Sequence, residues 1–161
     1  MFERYSECAR MAIFMARFSA GDVGSPQMDT EDLLFGVFSV DENLIRRSGS
    51  DLTLEKVTSD LSRWRSSATP IKSSADLPLS SEFEAVLSRV EPLADETGCR
   101  EIRTEHLLLA MVLESACHAA VALTGSGVDV ETIRALANET HGEGRQPCNN
   151  EAFSKLFPPD F

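Results

Sequence analysis

The residues best suited to selective chemistry are two Thr-Glu pairs, Thr30-Glu31 and Thr104-Glu105. Each precedes an apolar run, Leu33-Leu34-Phe35 or Leu107-Leu108-Leu109, and so reads as the start of a helix. A helix start offers unbonded amide donors and partial positive charge, which suit a phosphate, and a threonine hydroxyl adds one more donor. The neighbouring carboxylate can accept from a guanidinium, whose planar fork matches it. The same two residues also have a purely structural use, with threonine as the N-cap and the acid favoured by the helix dipole.

Other chemistry has little support. No G-x-x-x-x-G-K-[ST] segment occurs, so ATP binding of the P-loop kind is not expected, and Gly125-Ser126-Gly127 and Gly142-Glu143-Gly144 read as helix-ending turns. His106, His118 and His141 form no H-E-x-x-H pattern, and Cys8, Cys99, Cys117 and Cys148 form no C-x-x-C pair, so neither metal nor cofactor is expected. Cys117-His118 reads as a neighbour pair and not as nucleophile and base, because adjacent helical residues point in different directions. The serine-rich stretches lack a nucleophile-elbow pattern, and no enzyme is expected.

Composition narrows the classes further. With 26 acids against 15 bases the formal charge is −11, which argues against nucleic-acid binding because that needs a basic surface. No apolar run approaches a membrane span, and the opening Met1-Phe2-Glu3-Arg4-Tyr5 lacks the basic-then-apolar pattern of a secretory signal. Four scattered cysteines read as reduced thiols, which gives the expectation of a cytoplasmic protein.

The elements that must position the Thr-Glu pairs follow from an internal repeat. Met28-Asp29-Thr30-Glu31-Asp32-Leu33-Leu34-Phe35 returns as Ile102-Arg103-Thr104-Glu105-His106-Leu107-Leu108-Leu109, an offset of 74 that also pairs Ser6 with Ser80, Ala20 with Ala94 and Gly24 with Gly98. Leu52–Val57 matches Val128–Ile133 at an offset of 76. Tyr5, Ala9, Ala12, Ile13 and Ala16 form a helical stripe that Phe83, Val86, Leu87, Val90 and Ala94 repeat. Ser81-x-x-Glu84 suggests a capping box for the second of these helices, and Pro92 predicts a kink or an early end in it. Thr30 and Thr104 are expected as N-caps of the helices they open, and Asp129 as that of a helix carrying Val130, Ile133 and Leu136. Leu54, Val57, Leu61 and Trp64 mark its first-copy partner, and short helices are expected over 42–48 and 116–124.

The expected fold is all-α, about eight helices in two four-helix repeats related by a pseudo-two-fold axis. Residues 1–141 form the double repeat: about 1–65, a serine- and proline-containing linker at 66–79, and about 80–141. Each copy is too small to bury much alone, so the copies should pack face to face. The tail at 142–161 carries Phe153, Leu156 and Phe157 on one short apolar helical face, suited either to docking in a partner's groove or to packing on the protein itself.

With these features in place, the sequence resembles a known family. Phe2-Glu3-Arg4-Tyr5-Ser6-Glu7-Cys8-Ala9-Arg10, together with Thr104-Glu105-His106-Leu107-Leu108-Leu109-Ala110 and its counterpart Thr30-Glu31-Asp32-Leu33-Leu34-Phe35-Gly36, is similar to the N-terminal repeat domain of Clp-type unfoldases, especially the ClpC branch. The resemblance implies a helical module that receives protein substrates or adaptors for an unfoldase ring. In the ClpC branch it further implies recognition of phosphoarginine at Thr30, Glu31, Thr104 and Glu105. Where that family usually has glycine before each Thr-Glu, this chain has Asp29 and Arg103. Residues 21–44 hold six acids and no base, so the first site should repel phosphate, whereas Arg103 supplies a cation at the second. The second site is therefore expected to be the better one. The alternative is a structural or sequestering protein in which neither site binds phosphoarginine.

Overall fold

The computed structural model describes residues 2–53, 55–57, 59 and 76–139. Seven helices lie in the described residues: α1 (Glu7–Asp22), α2 (Thr30–Val40), α3 (Glu42–Arg47), α4 (Ser81–Glu96), α5 (Thr104–Leu113), α6 (His118–Gly125) and α7 (Val130–Glu139). The helix expected around Leu54 and Trp64 falls mostly outside the described residues, although 55–57 are helical. The expected tail face of Phe153, Leu156 and Phe157, and the 66–75 part of the linker, also lie outside them. The fold is all-α.

Equivalent residues build equivalent structure. Ser6 and Ser80 are the N-caps of α1 and α4 and accept from the N–H groups of Ala9 and Phe83, each at 3.1 Å. Gly24 and Gly98, at φ 69° and 71°, supply the left-handed residue just past the end of each helix. The N-cap of α4 is thus Ser80 and not Ser81, because the serine one residue earlier has the extended backbone a cap needs. Helix α4 runs through Pro92 to Glu96, so the expected early end does not occur. Ser88, whose carbonyl would have bonded the missing N–H, and Pro92 both lie on an exposed face, where water can serve that carbonyl.

The two copies are joined by backbone pairing in both directions. Tyr5 bridges Ile102, and Leu79 bridges Met28, which is the same contact with the copies exchanged. Ile102 N–H donates to Arg4 O at 3.0 Å, and Met28 N–H donates to Pro78 O at 2.8 Å. The hydroxyls of Ser50 and Ser126, equivalent residues, meet each other at 2.7 Å and so lie at the pseudo-two-fold axis. Helices α2 and α5 fill the centre. Thr104 to Val112 are all buried, as are Thr30 to Val40 apart from half-buried Phe35, the all-round burial expected of helices enclosed on every side.

The described residues contain no single helix long and apolar enough to cross a membrane; α5 and α6 together are apolar, but they meet at 97° and mostly face the core. Cys99 and Cys117 are free and buried. Cys8 is disulfide-bonded, which corrects the expectation of four reduced thiols.

Candidate functional site

Both Thr-Glu pairs lie where one copy meets the other. The structure corrects the capping assignment, since Asp29 and Arg103 occupy the N-cap positions and Thr30 and Thr104 are the first helical residues. In α2 the Asp29 carboxylate caps the helix while Asp32 Oδ2 accepts the Asp29 N–H at 2.9 Å. In α5, where arginine cannot cap, His106 takes the part of Asp32: its Nδ1 accepts the Arg103 N–H at 2.9 Å. The neutral ring then carries its proton on Nε2, which lies 2.9 Å from Thr97 Oγ1. As first helical residues, the two threonines direct their hydroxyls to the opposite copy.

There they meet the short helices. Thr104 Oγ1 donates to Asp41 Oδ2 at 2.8 Å, and Asp41 is the N-cap of α3. Thr30 Oγ1 accepts the N–H of Ala119, in the first turn of α6, at 3.4 Å. Glu31 Oε2 lies 3.2 Å from His118 Nδ1. Asp29 Oδ1 accepts from Thr30 N–H at 2.8 Å and from the Ser80 hydroxyl at 2.9 Å. These contacts enclose the pairs: Thr30 is 0% exposed, Glu31 3%, Thr104 2% and Glu105 8%. A bulky ligand reaching the Glu31 carboxylate must therefore displace His118 at the start of α6.

Arg103 is also buried, and its Nη2 donates to Cys99 Sγ at 2.9 Å and to Ala137 O at 3.1 Å. Its guanidinium ties α5 to α7. Its charge favours an anion at the second helix start. Cys117 is the N-cap of α6; its Sγ accepts from Ala120 N–H and donates to Met111 O, while His118 turns to Glu31. Burial pushes the Cys117 thiol up from its ordinary range, which makes it a poor nucleophile.

The residues that sequence reasoning missed at these sites are His118, Asp41 and Ser80. Each belongs to the copy opposite the pair it touches or to the junction between copies. The only available signal was that Asp41 immediately precedes the first expected short helix and Cys117-His118 fall in the opening turn of the second.

Comparison with known proteins decides the family. The model of the Clp repeat (R) N-terminal domain matches residues 4–126. The chain belongs to that family. Among curated relatives, the chloroplastic chaperone protein ClpD of Arabidopsis thaliana is 25% identical over 175 residues, covering 99% of this chain and 18% of the relative. The chloroplastic chaperone protein ClpC1 of the same plant is 27% identical over 154 residues, covering 93% of this chain and 16% of the relative. This Clp N-type chain thus spans less than a fifth of the length of the curated relatives it matches. Among solved structures, the N-terminal domain of Arabidopsis ClpD has a TM-score of 0.69 at 24% identity, covering 85% of this chain and 96% of that one. The Hsp104 N-terminal domain of Candida albicans has a TM-score of 0.70 at 19% identity, covering 89% and 95%. Both share the fold.

Proposed function

We propose that this Clp N-type chain is a protein-binding module of a Clp chaperone or proteolysis system, receiving substrates or adaptors. It has no ATPase activity of its own and works in the cytoplasm. Residues 1–141 act as one double-repeat unit. The observation that carries this reading is the family match over residues 4–126 together with the paired Thr-Glu helix starts that the match contains. The absence of a P-loop segment from the sequence supports the lack of ATPase activity.

Within this reading, Thr30, Glu31, Thr104 and Glu105 are proposed to receive phosphoarginine once α6 or α3 moves aside. The carboxylates would take the guanidinium and the helix starts the phosphate. Asp29 disfavours phosphate at the first site, while Asp41 offsets part of what Arg103 contributes at the second. A modest preference for the second site is therefore expected. Calorimetric titration with phosphoarginine in the presence of a chelator tests it on Glu31→Ala and Glu105→Ala variants. The larger loss should come from Glu105→Ala. Equal losses would remove the asymmetry. Absence of binding would remove the phosphoarginine assignment and favour the structural or sequestering alternative.

Adding the protein to a reconstituted unfoldase–protease reaction separates the two directions of action. Faster substrate degradation supports delivery, and inhibition supports sequestration.

A further inference from the structure

Asp29, Glu31 and His118 each bring a ligand atom to the seam between α2 and α6, all within 4.8 Å of one another. We propose that these three residues form a binding site for a divalent transition-metal ion, Zn2+ by preference, that bridges the two copies. The site shares Glu31 with the first Thr-Glu pair, but it does not depend on phosphoarginine recognition.

The donor set selects the class of ion. One imidazole with two carboxylates suits first-row transition metals, whereas Mg2+ and Ca2+ are served by oxygen alone. Zinc takes three such protein ligands at about 2.0–2.2 Å and leaves a fourth position to water. Ligand atoms on a tetrahedral ion with bonds of that length stand roughly 3.4 Å apart. Glu31 Oε2 and His118 Nδ1, at 3.2 Å, already have that spacing. The Asp29 ligand atom lies within 4.8 Å of both.

The surroundings favour a cation. The Glu31 side chain is 4% exposed, so its charge has lost most of its hydration and gains from a directly bound dication. Residues 21–44 add no base to the first copy's side of the seam. The positive ends of α2 and α6 oppose the ion, but a helix terminus carries only a partial charge, little against two direct carboxylate bonds. Outer-shell support is present, since Thr30 N–H and the Ser80 hydroxyl both hold Asp29 Oδ1. The His118 side chain, 44% exposed, leaves a route for the ion and room for water.

The second copy does not repeat the site, because the equivalent of Asp29 is Arg103. One ion per chain is therefore expected. Spacing along the sequence could not reveal the trio, because His118 lies 87 residues from Glu31.

The test uses the full chain, stripped with a chelator and dialysed, then titrated with ZnCl2 by calorimetry, with no peptide present. One ion should bind per chain and raise Tm. His118→Ala should weaken binding by at least about tenfold, the loss already typical when an outer-shell partner is removed. Asp29→Asn should also weaken it while leaving the metal-free Tm nearly unchanged, because asparagine caps a helix as well as aspartate does. With Co2+, visible d–d bands should appear without a thiolate-to-cobalt charge-transfer band. No zinc binding, undiminished binding in folded His118→Ala, or a thiolate band that places the ion on cysteine would each overturn the proposal.

Discussion

Thr30 and Thr104 show how a single position in a helix start decides what a side chain can do. One residue earlier, each hydroxyl would cap its own helix; as the first helical residue it reaches across the seam. The two contacts are unequal. Thr104 donates to a half-buried carboxylate at 2.8 Å, whereas Thr30 accepts an amide at 3.4 Å and pairs with the Cys117 thiol, both uncharged partners. Thr104→Val should therefore cost about 1.5–3 kcal/mol and Thr30→Val roughly 1 kcal/mol or less, as measured by urea unfolding. Equal costs would show that the bond to the Asp41 carboxylate carries no special weight. The Thr-Glu pairs were legible because residue type and repetition single them out. Their capping was not, because Asp-Thr offers two competent caps in a row and the pairing of His106 with Arg103 depends on a tautomer. Tyr5 gives a pH test at the same scale. Burial, with a smaller contribution from Glu91, pushes its phenol up to about 12. Since the folded value lies above the ordinary one near 10, the contribution to stability is complete below about pH 10 and is lost as pH rises toward 12. Tyr5 is the only tyrosine in the chain, so phenolate absorbance reports it directly and should show a midpoint near 12 instead of 10.

At the scale of elements, helix α1 crosses α2 at a point where no side chain fits. A Cβ on Gly36 would lie 2.0 Å from the carbonyl oxygen of Ala12, and Ala12 and Ala16 are fully buried beneath it. The second copy makes the corresponding crossing with Ala110 against Val86 and Val90, so only the first copy requires glycine. Gly36→Ala should destabilise by about 3 kcal/mol or more, because backbone and not a flexible side chain stands in the way. Gly125→Ala is the matched control. Nothing lies within 4 Å of its Cβ, and the substitution should be neutral or raise Tm slightly. Thermal melts of the two variants check this, and similar Tm values would show that α1 can shift away from α2. The helices themselves were readable from apolar spacing because that pattern is local. Closeness of approach was not, since Gly36 in a helix looks like any other tolerated glycine until Ala12 is placed against it. The proline prediction failed for a related reason, as the exposed face of α4 absorbs a missing hydrogen bond that a buried face would not.

At the scale of the whole molecule, the duplication was legible because equivalent residues persist, whereas the seam was not. Its contacts join Asp41 to Thr104 and Glu31 to His118, pairs 63 and 87 residues apart whose members are not equivalents of each other. What the seam does to folding follows from its two-way construction. The segment leading into α1 finds its backbone partner at Ile102, and the segment leading into α4 finds its partner at Met28. Arg4 strengthens the first of these junctions by donating from Nη2 to Asp95 at 2.5 Å and to Cys99 O at 2.9 Å, and from Nε to Arg100 O at 2.9 Å. Cutting the copies apart leaves both sets of backbone groups without protein partners and exposes the inner faces of α2 and α5 to water. A chain of about 65 residues has little burial to set against that loss. Residues 1–65 and residues 79–161, produced separately, should each lack a cooperative melting transition by circular dichroism. An equimolar mixture should regain helicity and a sharp transition whose midpoint rises with concentration, because association is then part of folding. A cooperative transition in either half alone would mean that one copy carries enough core to fold unaided, and the seam would then be a docking surface between two domains instead of the centre of one.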